Sequence, residues 1–187
     1  GGMMALRPIR VNCEVSNPTR PREIANKTTQ YYTQVAGFAG FVLNRANLAA
    51  GDVLIIGSVS GYEVFPVDVA LTARKMGVST IGFTSLAYSK TLASRHSSGK
   101  KLYEVCDIVL DNCANAGDAL VPVEEMGISV CPSSGIGAAY LLWALQASVM
   151  EELLKRGKTP SVYLSNHAPG AAEHNCKAMD NYHRLAY

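Results

Sequence analysis

The sequence predicts an α/β fold built on a three-layer, mostly parallel sheet. Three observations carry that prediction. Val53–Ile56 is a continuous apolar run rich in β-branched residues, the pattern of a strand buried on both faces of a parallel sheet. The run ends in a turn of small residues, Gly57-Ser58-Val59-Ser60-Gly61, and a helical pattern follows over Glu63–Met76. Two more strands of the same kind follow, Ser79–Phe83 and Ile108–Leu110, each closing on polar residues, Thr84-Ser85 and Asp111-Asn112. A strand, a helical segment of about 20 residues and a second strand form a βαβ unit, which is parallel and right-handed. Ligands bind such sheets outside the carboxyl ends of the strands.

Taken in order, Met3–Val11 alternates Leu6, Ile9 and Val11 with Arg7 and Arg10, a short strand that Pro8 places at an edge. Asn12–Pro21 is a loop with an Asn17-Pro18 turn. Glu23–Asn47 is helical, broken near Gly37 and Gly40 into two helices. In the helix over Glu63–Met76, Val64, Val67 and Leu71 recur at three and four residues, and Gly77 suits its end. Ser89–Lys101 is polar, Leu102–Val105 is a short helical segment, and Cys113–Pro132 is loop-like. The next helix spans 133–157, with Ser133 or Ser134 as its cap, Lys155 and Arg156 at its negative end and Gly157 as its stop. Val162–Leu164 is a short extended segment in the C-terminal tail over 158–187, which is polar from Asn166 to Tyr187.

The chain has 187 residues, which suits one domain spanning 1–187. With 48% hydrophobic and 17% charged residues it can bury a real core. A net charge of +2 is too small to point to nucleic acid. Five cysteines, none in a CxxC pair, fit reduced core residues and hence a reducing, cytoplasmic setting. The start has no basic segment leading into a long apolar run, so no secretory leader is expected. Ile136–Met150, the most apolar helix, is shorter than the ~20 residues a bilayer needs and contains Gln146. It is expected to be buried or to contact another subunit, which makes a homodimer or tetramer the expectation and a membrane partner not.

The loop Ser58–Gly61 is the leading ligand site. A strand, a small-residue loop and a helix N-terminus aim backbone N–H groups and a positive dipole end at one spot, where a phosphate can sit. Ser58, Ser60 and Gly61 would hold the anion, and Thr84 and Ser85 would face the same crevice from the neighbouring strand. His96, Ser97, Ser98 and Lys100, in a Ser-rich basic run, are further candidates for an anion or a sugar. A metal site from His167, His174 and Cys176 is not expected, because the spacing of the last two is poor for one helical face. No GxGxxG follows a strand and no Gly-x-Ser-x-Gly elbow occurs, so no cofactor is expected.

From Gly51 to Asn112 the chain resembles a sugar isomerase (SIS) domain: Gly-Asp, an apolar strand, Ser58-Val59-Ser60-Gly61, a helix with Ala70 and Ala73, then Gly77 and a strand ending Thr84-Ser85. The run Ser94-Arg95-His96-Ser97-Ser98-Gly99-Lys100-Lys101-Leu102, with Gly117-Asp118-Ala119-Leu120 and Glu173-His174-Asn175, is similar to a bacterial phosphoheptose-isomerase-like subgroup. The resemblance implies a flavodoxin-like sheet, a phosphosugar ligand and a dimer or larger oligomer. The chain departs from the pattern in three ways. The family's first central strand has no clear match before Gly51, so the sheet would lack that strand unless another segment supplies it. Glu63 stands where a small hydroxyl or amide residue touches phosphate, and its carboxylate would repel one. Tyr62 replaces a basic or polar residue.

Aldose–ketose isomerisation moves a proton between C1 and C2 and needs an acid–base pair for the oxygens. Glu14 lies roughly where isomerising relatives place a glutamate, and Glu173 and His174 are the other candidates, with His174 foremost. The expected function is sugar-phosphate binding with isomerase activity. The alternatives are a non-catalytic sugar-phosphate module and a purely structural oligomer subunit.

Overall fold

The computed structural model describes residues 3–4, 7–11, 35 and 37–185. Glu14 and the expected helical stretch before residue 35 lie outside the described residues. Packing divides the chain into two compact units, Arg10–Ala138 and Gly1–Ile9 with Ala139–Tyr187.

The first unit is a mixed α/β body around a parallel three-stranded sheet. Its strands are β2 (Val53–Gly57), β3 (Ser79–Thr84) and β4 (Ile108–Asp111), in the order β2-β3-β4. Ile55 pairs with Ile81, and Ile81 with Ile108. Helix α1 (Phe38–Arg45) packs on α2 (Val64–Lys75), and α2 and the short α4 (Leu102–Val105) pack on the strands. Side chains alternate along a strand, so Ile56 and Leu54 share the face where α2 buries Val67, Ala70 and Ala73. Leu43 from α1 and Leu102 and Val105 from α4 complete this core.

The opposite face is less covered. Val53 and Ile108 point there and are 59% and 54% exposed. The expected burial of the Val53–Ile56 run on both faces is therefore met on one face only. Among the described residues β2 is an edge strand, and α2 packs on one of its faces.

Two features of this unit differ from the sequence expectation. Part of Cys113–Pro132 is not loop but a hairpin, β5 (Val121–Val123) and β6 (Ile128–Val130), joined by a 3₁₀ turn at Glu124–Met126. The cap of α5 (Ser134–Lys155) is not a serine. Asp118 accepts the backbone N–H groups of Ser133 and Ser134 at 3.1 and 2.8 Å and the Ser134 hydroxyl at 2.6 Å. A carboxylate completes the exposed donors of a helix start better than a hydroxyl does. These bonds, led by the one from the Ser134 side chain, hold the Asp118 carboxyl below the usual range.

In the second unit β7 (Val162–Tyr163) pairs antiparallel with β1 (Met3–Met4), and α6 (Ala171–Leu185) packs against β7. The expected extended segment thus pairs with Met3–Met4, the part of the expected Met3–Val11 edge strand that forms a strand; the described residues 7–11 are not in one. Among the described residues no helix is long and apolar enough to cross a membrane.

Candidate functional site

The three strand ends differ in how much hydrogen-bonding capacity they leave open. At β3 and β4 it is spent internally. Thr84 is fully buried and donates its hydroxyl to Val59 O at 3.0 Å. Ser85, also fully buried, donates to Ala114 O and accepts the Tyr88 N–H at the start of α3 (Leu86–Thr91). Asp111 accepts the N–H groups of Leu86 and Cys113. In this geometry Thr84 and Ser85 support the neighbouring loop from below.

At the end of β2 the loop is pinned but not saturated. Ser58 N–H donates to Phe83 O, and Ser58 Oγ accepts the Gly61 N–H at 3.2 Å. Gly61 has φ +60°, and a β-carbon there would lie 2.9 Å from Thr84 Oγ1 and 3.2 Å from Leu102 Cβ. Only glycine lets the chain turn so closely over β3. The Ser60 hydroxyl has no partner among the described residues, and neither do the N–H groups of Val64 and Phe65 opening α2. Pro66 follows them and has no N–H to satisfy, as suits a first helical turn. Glu63 occupies the cap position without capping. Free amides, a hydroxyl and a positive helix end therefore meet at Ser60–Phe65, a setting suited to an anion.

The carboxylate of Glu63 is engaged sideways. Its Oε1 lies 3.0 Å from Arg95 Nη1, and the Arg95 guanidinium stacks over the Tyr62 ring at 5.0 Å. The neighbouring Glu63 carboxylate raises the Tyr62 phenol above its ordinary pKa, with desolvation adding to the shift.

His96 lies beside the second turn of α2. Its Nδ1 accepts the Ser98 N–H at 3.1 Å, which leaves the proton on Nε2, 2.8 Å from Asp68 Oδ1. Its side chain is 8% exposed. Both ring nitrogens are thus used within the chain, and Ser94 Oγ and Ser98 Oγ tie the same loop through the His96 and Lys100 N–H groups. Ser97 and Lys100 are exposed.

Glu173 and His174 stand on α6, in the second unit. Glu173 pairs with Lys177 at 2.6 Å, and His174 Nε2 donates to Val162 O at 2.9 Å. That unit also holds an open cleft of about 560 Å³ lined by Tyr163, His167, Asn175 and neighbours. Of its two amides, Asn175 is bonded to both the N–H and the C=O of Leu164 and donates to Asn166 Oδ1 at 3.3 Å, and neither lysine nor arginine lines the cleft. Cys106, under β3, has its thiol pushed up to about 11 by burial and is no nucleophile.

Arg95 and Asp68 were not singled out from the sequence. Each contacts a residue about thirty positions away, and only the fold brings them together.

Fold and comparison agree on the class. The SIS domain model matches residues 1–85, so the likeness begins well before Gly51. The UPF0309 protein of Geobacillus thermodenitrificans is 35% identical over 182 residues, which cover 97% of this chain and 71% of that protein. The UPF0309 protein of Halalkalibacterium halodurans is 34% identical over 98% of this chain and 71% of its own length. One from Streptomyces coelicolor is 38% identical over 80% of this chain and 59% of its own. The chain belongs to this UPF0309 family of SIS-domain proteins, a membership that points to a carbohydrate derivative as the ligand class.

Proposed function

We propose that the protein binds a sugar phosphate or amino-sugar phosphate at the β2–α2 loop, with the phosphoryl group over Ser58, Ser60, Gly61 and the first turn of α2. One observation carries the reading: the amides of Val64 and Phe65 and the Ser60 hydroxyl lack partners among the described residues at a helix N-terminus, within an SIS domain. Ser97 and Lys100 are candidates for the sugar hydroxyls. Scanning thermal stability against hexose, heptose and amino-sugar phosphates tests it. A ligand at a hundred times its Kd adds about 2.7 kcal/mol, so at least one phosphosugar is expected to raise Tm by several degrees while its free sugar does not. No shift with any compound removes the proposal.

Aldose–ketose isomerisation is the enzymatic form of this reading, with Glu14, Glu173 and His174 as acid–base candidates. Interconversion of a bound aldose and ketose phosphate, followed by NMR, would support it. A non-catalytic module is the second form, favoured by the bonding of both His96 nitrogens, of His174 Nε2 and of Glu173 within the chain. The working state is a homo-oligomer in the cytoplasm, in which a second copy covers the apolar face of α5.

A further inference from the structure

A carboxylate at the mouth of an anion site is expected to repel the ligand, yet here it holds a cation. Three contacts fix Arg95 beside the loop. Its N–H donates to Tyr62 O at 2.9 Å, its guanidinium lies over the Tyr62 ring at 5.0 Å, and Nη1 reaches Glu63 Oε1 at 3.0 Å. Of the five guanidinium N–H donors, only those on Nη1 face a partner among the described residues. The side chain is 54% exposed, so the free donors are open to solvent. Glu63 immediately precedes Val64 and Phe65, whose amides are unpartnered among the described residues. Asp68 and His96, also beside α2, are closed on each other at 2.8 Å.

A guanidinium can serve a carboxylate along one edge and a phosphoryl group along another, with two parallel bonds to the latter. We infer that Arg95 is the phosphate-recognising cation of the β2–α2 site, that Glu63 and Tyr62 position it, and that the site selects phosphomonoesters over uncharged sugars. The inference rests on the reading of the loop as a sugar-phosphate site. It also explains how the chain tolerates Glu63 and Tyr62 there: both are the socket of Arg95.

The test is calorimetric titration of the whole chain with inorganic phosphate, glucose 6-phosphate and glucose. It compares wild type with Arg95→Ala, Arg95→Lys, Glu63→Ala, Glu63→Gln and Ser60→Ala. Wild type is expected to bind both phosphates and not glucose. Arg95→Ala should weaken phosphate binding about tenfold or more, and Arg95→Lys should recover only part of it, because an ammonium cannot make the paired bonds. Glu63→Gln keeps an acceptor for Nη1 and should bind more tightly than Glu63→Ala. In NMR titration the side-chain N–H signal of Arg95 should move with phosphate and not with glucose. Phosphate binding by Arg95→Ala at wild-type strength, with Ser60→Ala weakened, would overturn the role of Arg95 and leave the loop reading standing. Equal binding by Glu63→Gln and Glu63→Ala would overturn the positioning role of Glu63. No binding of either phosphate by wild type would overturn both. Arg95→Lys keeps a positive charge beside the Tyr62 ring, so its loss relative to wild type is read in a folded protein.

Discussion

Gly61 shows how one residue sets the shape of the candidate site. Its positive φ and the 2.9 Å approach to Thr84 Oγ1 act together, so Gly61→Ala meets both backbone strain and a clash. Gly127 at the hairpin tip has φ +64° but open space around it, so Gly127→Ala meets the strain alone. The expected losses in urea unfolding are about 2–3 kcal/mol for the first and about 1 for the second. Equal losses would mean that the loop can shift off β3. Asp118 acts at the same scale. Its folded pKa is lowered, so its contribution is present above the unfolded value and is lost as pH falls through the folded one. Asp118→Ala should cost about 1 kcal/mol near neutrality. The Tm gap from wild type should close as pH drops below about 4; a gap that does not change with pH would rule out the charge as its source.

Elements were legible where a local rule decides them. β2, α2, β3 and β4 lie within about a residue of the pattern read from apolar runs and small-residue stops, and Gly77 and Gly157 follow their helices at positive φ. The hairpin β5–β6 was not legible, because Val121–Val123 contains a proline and neither strand exceeds three residues. The candidate site was legible in part. Ser58–Gly61 stands out by composition, but whether a hydroxyl is open or spent depends on neighbours from other strands. Thr84 and Ser85 are spent on Val59 and Ala114, 25 and 29 residues away. The same holds for Glu63: its own charge predicts repulsion of phosphate, while Arg95, which engages it, sits 32 residues on.

At the scale of the whole molecule, α5 is the decisive element. Its composition predicts enclosure, yet none of its residues is buried, and Ile136, Tyr140 and Trp143 are 75%, 73% and 65% exposed. They recur at four and three residues, hence on one stripe, and no charged residue occurs from Ser134 to Met150. A stable dimer covers about 800 Å² on each partner, and each exposed aromatic supplies roughly 100–150 Å² of that. The stripe can therefore anchor such an interface, with its small exposed neighbour Ala144 allowing close approach. Sizing of the wild-type protein is expected to give a dimer or a larger species. The sequence has one tryptophan, so its emission reports this face directly. Emission should shift to the red on dilution through the dissociation range, and Tyr140→Glu with Trp143→Phe should elute as a monomer at concentrations where wild type is assembled. A monomer at every concentration, with emission already that of a solvated indole, would show that the stripe meets water and that the second copy is not its partner.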